Sequence, residues 1–155
     1  MERSGFTTIE MIIVVVIIGV IAAIGFPKIR GTLDKTNVRS ARVYLSTQLV
    51  TARATAVQRG CYAVVHFTSG ASGAIWVTAC PRRMPGAGTV DTIGGVESLA
   101  DRYNVTLTAT RDSVRFDPRG LSTDGAGVTT TVRISGNIAS NSDSIFINPL
   151  GKVVR

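Results

Sequence analysis

The stretch that decides the fold runs from Gly5 to Phe26 and reads GFTTIEMIIVVVIIGVIAAIGF. From Met11 to Phe26 every residue is apolar or glycine. As a helix, residues 6–26 would be about 32 Å long, which is enough to cross a bilayer. Glu10 places a carboxylate near the start of this segment, where a charge is costly unless it has a partner. The stretch therefore predicts a membrane-spanning helix whose glutamate needs a counter-charge.

Three interpretations of this segment compete. A secretory signal peptide has a basic start and a small-residue cleavage site; Ala22-Ala23 could serve as that site, but Arg3 is offset by Glu2. A plain membrane anchor leaves Glu10 without a partner. In the third interpretation, Glu10 pairs with a cation that another molecule supplies.

The residues Gly5-Phe6-Thr7-Thr8-Ile9-Glu10, followed by the apolar run, resemble the N-terminal signature of type IV pilins and type II secretion pseudopilins. The resemblance implies that a prepilin peptidase cuts after Gly5 and methylates the new N-terminus at Phe6. Residues 1–5 would then be a cleaved leader. Glu10 would neutralise the amine of a neighbouring subunit's Phe6 during filament assembly, which gives the carboxylate its partner.

Composition sets limits on the remainder of the chain. The 155 residues are enough for one modest domain besides the apolar segment, and they carry a net charge of +7. A basic balance favours acidic partners such as nucleic acid or anionic lipid, although a solvated basic surface gives the same count.

Export is the expected fate of the C-terminal part. Lys28, Arg30 and Lys35 follow the apolar segment, and the positive-inside rule alone would keep them in the cytoplasm. Long domains translocate largely regardless of charge, however, and cysteines favour an oxidising compartment. We therefore expect a single-pass inner-membrane protein before assembly and a periplasmic or extracellular filament afterwards.

Cys61 and Cys80 fit an exported protein with one disulfide. A metal site is the rival interpretation, but the only histidine, His66, would lie on the opposite strand face from Cys61. Two free thiols are the third alternative. We expect no metal and no cofactor.

Helical periodicity continues beyond the apolar segment. Apolar residues recur at helical spacing and predict a stripe that packs on a sheet: Leu33, Val38, Ala41, Leu45, Leu49, Ala52 and Ala56. Pro27 removes one backbone donor and is expected to allow a kink. Arg59-Gly60 predicts the end of the helix. The predicted organisation is thus a filament-core helix at 6–27, an amphipathic continuation at 28–59 and a β-rich domain at 60–155.

Strand patterns fill the C-terminal part. The segments Cys61–Phe67 and Ala74–Cys80 flank a turn and predict a hairpin that brings the two cysteines together at its open end. Pro81–Gly95 is rich in glycine and proline and predicts a loop. Further strands are predicted at Val105–Ala109, Val114–Phe116, Val128–Ile134, Ser144–Ile147 and Lys152–Val154. The predicted fold class is α+β, with one long helix docked on an antiparallel β domain.

Two C-terminal motifs narrow the resemblance. The segments Val114–Gly120 (VRFDPRG) and Pro149–Lys152 (PLGK), with the helix exit Ala52–Gly60 (ARATAVQRG), resemble the GspH/FimT branch of minor pseudopilins and minor type IV pilins. The resemblance implies that the helix packs against two β-sheets. It also implies other pilin or pseudopilin subunits, prepilin peptidase and an inner-membrane assembly platform as partners.

No catalytic residue set emerges from the sequence. The chain lacks a P-loop and paired carboxylates on one element, and His66 is interpreted as an ordinary strand residue, so we expect no enzyme. Trp76 and Phe67 are interpreted as core residues rather than as a platform for stacking bases.

Two functional hypotheses follow from this combination. The first is a structural subunit of a pilus or pseudopilus. The alternative is a FimT-like minor pilin that captures DNA through a basic C-terminal tail, with Arg133, Lys152 and Arg155 as the candidate contacts. Such contacts would go mainly to phosphates, because no recognition helix is predicted that could read bases.

Overall fold

The structure is a computed structural model that describes residues 7–81, 90–123 and 129–154. Helix α1 spans Thr8–Arg59, and its 52 residues make it about 78 Å long. It ends where the sequence predicts, because Gly60 takes a left-handed conformation (φ 64°) and its N–H donates to the carbonyl oxygen of Ala56. Pro27 lies inside the helix, which continues through it; the kink stays a prediction.

The predicted stripe is the face that α1 buries in the domain. Six of its seven apolar residues are buried: Val38, Ala41, Leu45, Leu49, Ala52 and Ala56. The prediction for Leu33 is wrong, since 54% of its surface is exposed. The neighbouring Asp34 takes the buried position instead, at 1% exposure.

Among the described residues, the first sheet has four antiparallel strands in the order β3-β2-β1-β5. The strands are β1 (Ala63–Phe67), β2 (Ala74–Ala79), β3 (Asp91–Ser98) and β5 (Ser113–Phe116). The β1–β2 hairpin forms as predicted. The loop predicted at Pro81–Gly95 is wrong from Asp91 onward, because Asp91, Thr92 and Ile93 pair with β2. Gly94 and Gly95 have positive φ and lie at the irregularity in this pairing, where glycine is favoured.

The second sheet, in the part of the chain that the structure describes, also has four antiparallel strands, in the order β4-β6-β7-β8. The strands are β4 (Val105–Ala109), β6 (Thr130–Gly136), β7 (Ser142–Ile147) and β8 (Val153–Val154). Strands β6 and β7 pair over six residue positions, so β6 ends two residues later and β7 begins two residues earlier than predicted. Helix α2 (Leu99–Tyr103) was not predicted.

The core lies where α1 packs on both sheets. Strand β6 shows the predicted alternation, with Thr130, Val132 and Ile134 buried and Arg133 exposed. Phe67 is a core residue, as predicted. The prediction for Trp76 is wrong, since its ring lies partly exposed on the outer face of the first sheet and stacks on His66 at 5.0 Å between ring centroids. The α+β class with two sheets is confirmed.

Candidate assembly surface

The N-terminal part of α1 extends beyond the β domain with its apolar surface uncovered. Between Ile9 and Leu33 the large apolar side chains are 42–70% exposed. In the described part of the chain, α1 is the one helix long and apolar enough to cross a membrane. A continuous apolar surface of this kind requires lipid or other protein around it.

Glu10 lies in the first turn of this exposed segment. Its backbone N–H donates to the side chain of Thr7, the N-cap residue, at 3.4 Å. Its carboxylate makes no hydrogen bond or ion pair within the described residues. The predicted cleavage and methylation residues, Gly5 and Phe6, lie outside the described part of the chain.

Basic residues occupy α1 directly after the apolar segment. Lys28, Arg30, Lys35 and Arg39 are all exposed. None of them belongs to the ion pairs found among the described residues. The guanidinium of Arg30 instead lies 5.8 Å from the ring centre of Phe26. The end of the domain next to the apolar segment, here called its base, therefore carries four cations that form no ion pair within the described residues. The buried carboxylate of Asp34, described next, offsets part of this charge.

Asp34 lies among these cations on α1 and fixes the loop between β6 and β7 to the helix. Its carboxylate accepts hydrogen bonds from the backbone N–H of Ile138 (3.1 Å) and from the backbone and side-chain amides of Asn141 (3.3 and 2.8 Å). Burial raises the pKa of Asp34, but these bonds and the Ala139 N–H outweigh it and hold the pKa below its ordinary value. The β6–β7 loop is thus held by an ionised, buried carboxylate.

Gly136 makes this approach possible. A Cβ atom added at this position would lie 2.2 Å from Oδ1 of Asp34. Any side chain would therefore push the end of β6 away from the helix. Sequence reasoning missed this cluster, although the signal was present: Asp34 precedes Val38 by four residues and continues the stripe of α1 at helical spacing.

The motif after β5 forms a tight turn. Oδ1 of the buried Asp117 accepts from the backbone N–H groups of Arg119 (2.9 Å) and Leu121 (2.8 Å), and Oδ2 pairs with the Arg119 guanidinium at 3.0 Å. The Leu121 N–H chiefly, and Arg119 with it, keep the pKa of Asp117 low despite burial. This network orders the turn that follows β5.

The two C-terminal motifs meet in the core. A Cβ added at Gly151 would lie 2.6 Å from a ring carbon of Phe116, and φ at Gly151 is 76°. A Cβ added at Gly120 would lie 3.0 Å from the Arg53 guanidinium on α1. The glycines of these motifs therefore allow close packing between the two sheets and between the first sheet and α1.

A disulfide joins Cys61 to Cys80 at the open end of the β1–β2 hairpin, with 6.3 Å between the Cα atoms. The guanidinium of Arg59, at the end of α1, donates to the carbonyl oxygen of Cys80. It also pairs with the carboxylate of Asp91 at 3.0 Å. Helix, hairpin and β3 are thus tied together at this end of the domain.

The structure does not bring the candidate DNA contacts together. Arg133 projects from the outer face of β6 and donates to the Ser142 hydroxyl at 3.1 Å. In the strand register, Arg133 of β6 lies opposite Ser144 of β7, whereas Lys152 lies opposite Asn148, which follows β7. These positions differ by about 14 Å along the sheet and by two strand spacings across it. Arg155 lies outside the described residues, and DNA binding stays a prediction.

A long apolar N-terminal helix whose second half packs on two antiparallel sheets defines the pilin-like class of subunits. Residues 44–151 match the family model described as type II transport protein GspH, and the chain belongs to this family. No curated protein matches the sequence.

The type IV minor pilin FimU of Pseudomonas aeruginosa strain PAO1 has a similar fold in two crystal forms. In one form the TM-score is 0.57, with 14% identity over 77% of this chain and 88% of FimU. In the other the TM-score is 0.54, with 14% identity over 75% of this chain and 90% of FimU. At this identity the likeness shows the fold.

Proposed function

We propose that this chain is a structural subunit of a type IV pilus or of a type II secretion pseudopilus, assembled through its N-terminal helix. The observation that carries the proposal is the combination of a GspH-family domain with an uncovered apolar helix segment that bears Glu10. The similar fold of FimU, a type IV minor pilin, supports the same role.

The exposed segment fits two successive environments. In a bilayer, lipid covers the apolar side chains before assembly, and in a filament the helices of neighbouring subunits cover them. Glu10 then pairs with the N-terminal amine of a neighbouring subunit. Such a pair is much stronger at low dielectric than in water, and either charge left alone there is costly.

Processing precedes assembly in this proposal. Prepilin peptidase cuts between Gly5 and Phe6 and methylates Phe6, which creates the amine that Glu10 pairs with. The subunit waits in the inner membrane and enters the filament through the inner-membrane assembly platform, together with other pilin or pseudopilin subunits.

Intact-mass analysis of the native protein tests the processing step. We expect a chain of residues 6–155 with one added methyl group. Gly5→Val should retain the leader because a branched side chain blocks the cleavage site, whereas the neighbouring Ser4→Ala should be processed normally. A mature chain that begins after Ala23, or one that retains Met1, would contradict the proposal.

A further inference from the structure

We propose that the base of the β domain binds anionic phospholipid headgroups of the bilayer that α1 crosses. The site, here termed the interfacial patch, consists of Phe26, Lys28, Arg30, Lys35 and Ile138. Phe26 and Arg30 lie beside Ile138, whereas helical spacing places Lys28 and Lys35 on the opposite side of α1, so the cations surround the helix rather than share one face. The inference rests on the proposed function, because it requires α1 in a membrane. It adds a second membrane contact, outside the spanning segment, that sets the height and orientation of the domain before assembly.

The cations lie at the height of the headgroups. Measured along α1 from Phe26 at about 1.5 Å per residue, Lys28 lies about 3 Å, Arg30 about 6 Å and Lys35 about 14 Å further on. The headgroup layer extends about 5–8 Å beyond the hydrocarbon core. Lys28 and Arg30 therefore fall within that layer, and Lys35 lies within about one Debye length of it.

The β6–β7 loop brings an apolar side chain to the same level. Ile138 and Ala139 line a groove with Phe26, Pro27 and Arg30. Ile138 is 49% exposed and Phe26 is 63% exposed. Exposed apolar side chains beside cations are the composition that binds a membrane interface, with the apolar groups at the acyl boundary and the cations at phosphates.

The loop is held rigidly in this position. Ile138 donates its own backbone N–H to the buried carboxylate of Asp34, and Asn141 holds the other end of the loop to the same group. The Ile138 side chain therefore has a fixed place relative to the end of the apolar segment. A contact made by a preformed surface loses little conformational entropy on binding.

The charges of the domain favour lipid over a second copy of this chain as the partner. No acidic residue occurs between Lys35 and Val90. Further along, Asp91, Glu97, Asp117 and Asp143 are engaged in ion pairs. A second copy therefore offers few uncommitted carboxylates within the described residues, whereas an anionic leaflet offers phosphates at the required height.

Depth-dependent fluorescence quenching tests the contact on the full chain. Trp76→Phe removes the only tryptophan, and Ile138→Trp then places a single fluorophore in the loop. The protein is reconstituted in vesicles of phosphatidylethanolamine and phosphatidylglycerol, or of phosphatidylcholine alone, containing lipids brominated near the headgroup. We expect quenching in the anionic vesicles and at least a twofold smaller effect in phosphatidylcholine.

Charge variants identify the residues responsible. Lys28→Gln, Arg30→Gln and Lys35→Gln together should reduce quenching in anionic vesicles at least twofold. The control set Arg53→Gln, Arg133→Gln and Lys152→Gln removes the same amount of charge away from the interfacial patch. It should leave the quenching in anionic vesicles unchanged. Equal quenching in anionic and phosphatidylcholine vesicles would overturn the inference. So would undiminished quenching in the variant that lacks Lys28, Arg30 and Lys35.

Three further outcomes separate the causes of failure. If α1 resists carbonate extraction but the fluorophore is not quenched, the headgroup site is wrong while the proposed function stands. If carbonate extracts the protein, the proposed function fails and the inference fails with it. Full quenching in the Lys28, Arg30 and Lys35 set, combined with loss from filaments, would assign these cations to a neighbouring subunit instead.

Discussion

Asp34 occupies a position in the stripe of α1 that an apolar side chain would ordinarily fill. A buried carboxylate is tolerated only when its oxygens are satisfied, and here backbone and side-chain amides of the β6–β7 loop satisfy them. The residue thus exchanges an apolar contact for a fixed connection between the helix and the second sheet.

Removing this carboxylate should destabilise the domain. Asp34→Ala leaves buried amide donors without an acceptor, and we expect the free energy of unfolding to fall by about 3 kcal/mol. Urea titration of the full chain in detergent, followed by Trp76 fluorescence, measures the change. Asp101→Ala, which removes an exposed carboxylate, should change it by less than about 0.5 kcal/mol. Equal stability of both variants would contradict this role for Asp34.

The same carboxylate makes stability depend on pH. The pKa values of Asp34 and Asp117 are both lowered in the folded protein from a reference of 3.8. The unfolded chain therefore binds more protons in acid, so the stabilisation is complete above about pH 5 and is lost progressively as the pH falls through the unfolded and then the folded pKa values. Asp34→Asn should make the free energy of unfolding fall less steeply with decreasing pH, because it removes one of the two titrating carboxyls. Equal slopes in wild type and variant, measured by urea titration at several acid pH values, would contradict this role for Asp34.

Part of the packing of individual residues on α1 could be predicted from the sequence. Helical spacing predicted six buried residues of α1 correctly, because a stripe can be found from periodicity alone. The same spacing includes Asp34, but its partners lie more than a hundred residues away. Local pattern cannot reveal a carboxylate that is satisfied by so distant a loop, and Leu33 was assigned to the stripe in its place.

Among the elements, the β1–β2 hairpin shows most directly how a covalent link is positioned. Its last pair, Ala63 with Ala79, brings the chain ends just beyond it close enough for Cys61 and Cys80 to bond. Replacing both cysteines with serine should lower the free energy of unfolding by about 2–4 kcal/mol, because the unfolded chain gains freedom. Urea titration checks the size of the loss, and non-reducing peptide mapping of the wild type should recover the two cysteines linked. Recovery of both as free thiols would reject the bond.

Strands with a strong alternation of apolar and polar residues were predicted correctly. A strand that depends on pairing with a neighbouring strand was missed. The bounds of β4 were predicted correctly as Val105–Ala109. Strand β3 was missed because Gly94 and Gly95 indicate a loop, whereas in the structure they form an irregularity within a strand that pairs with β2 on either side of them. Helix α2 has only five residues, which is too short for helical periodicity to register.

For the whole molecule, the two-sheet architecture came from the resemblance of the motifs rather than from local pattern. Strand order, such as the position of β5 beside β1, depends on contacts between distant segments. Of the candidate assembly surface, the apolar segment and Glu10 were evident in the sequence. The β6–β7 loop at the base was not, since only the fold places Ile138 beside Phe26.

The measurement that tests the central claim most directly is the amount of this chain in sheared filaments, compared between wild type and Glu10→Gln. We predict that the wild-type chain is present and that the variant is depleted at least tenfold, while its β domain stays folded because no described residue of the domain contacts Glu10. Asp101→Asn, which neutralises an exposed carboxylate of the domain, should enter filaments normally. Equal incorporation of Glu10→Gln and wild type, or absence of the wild-type chain from filaments, would contradict assembly through the N-terminal helix.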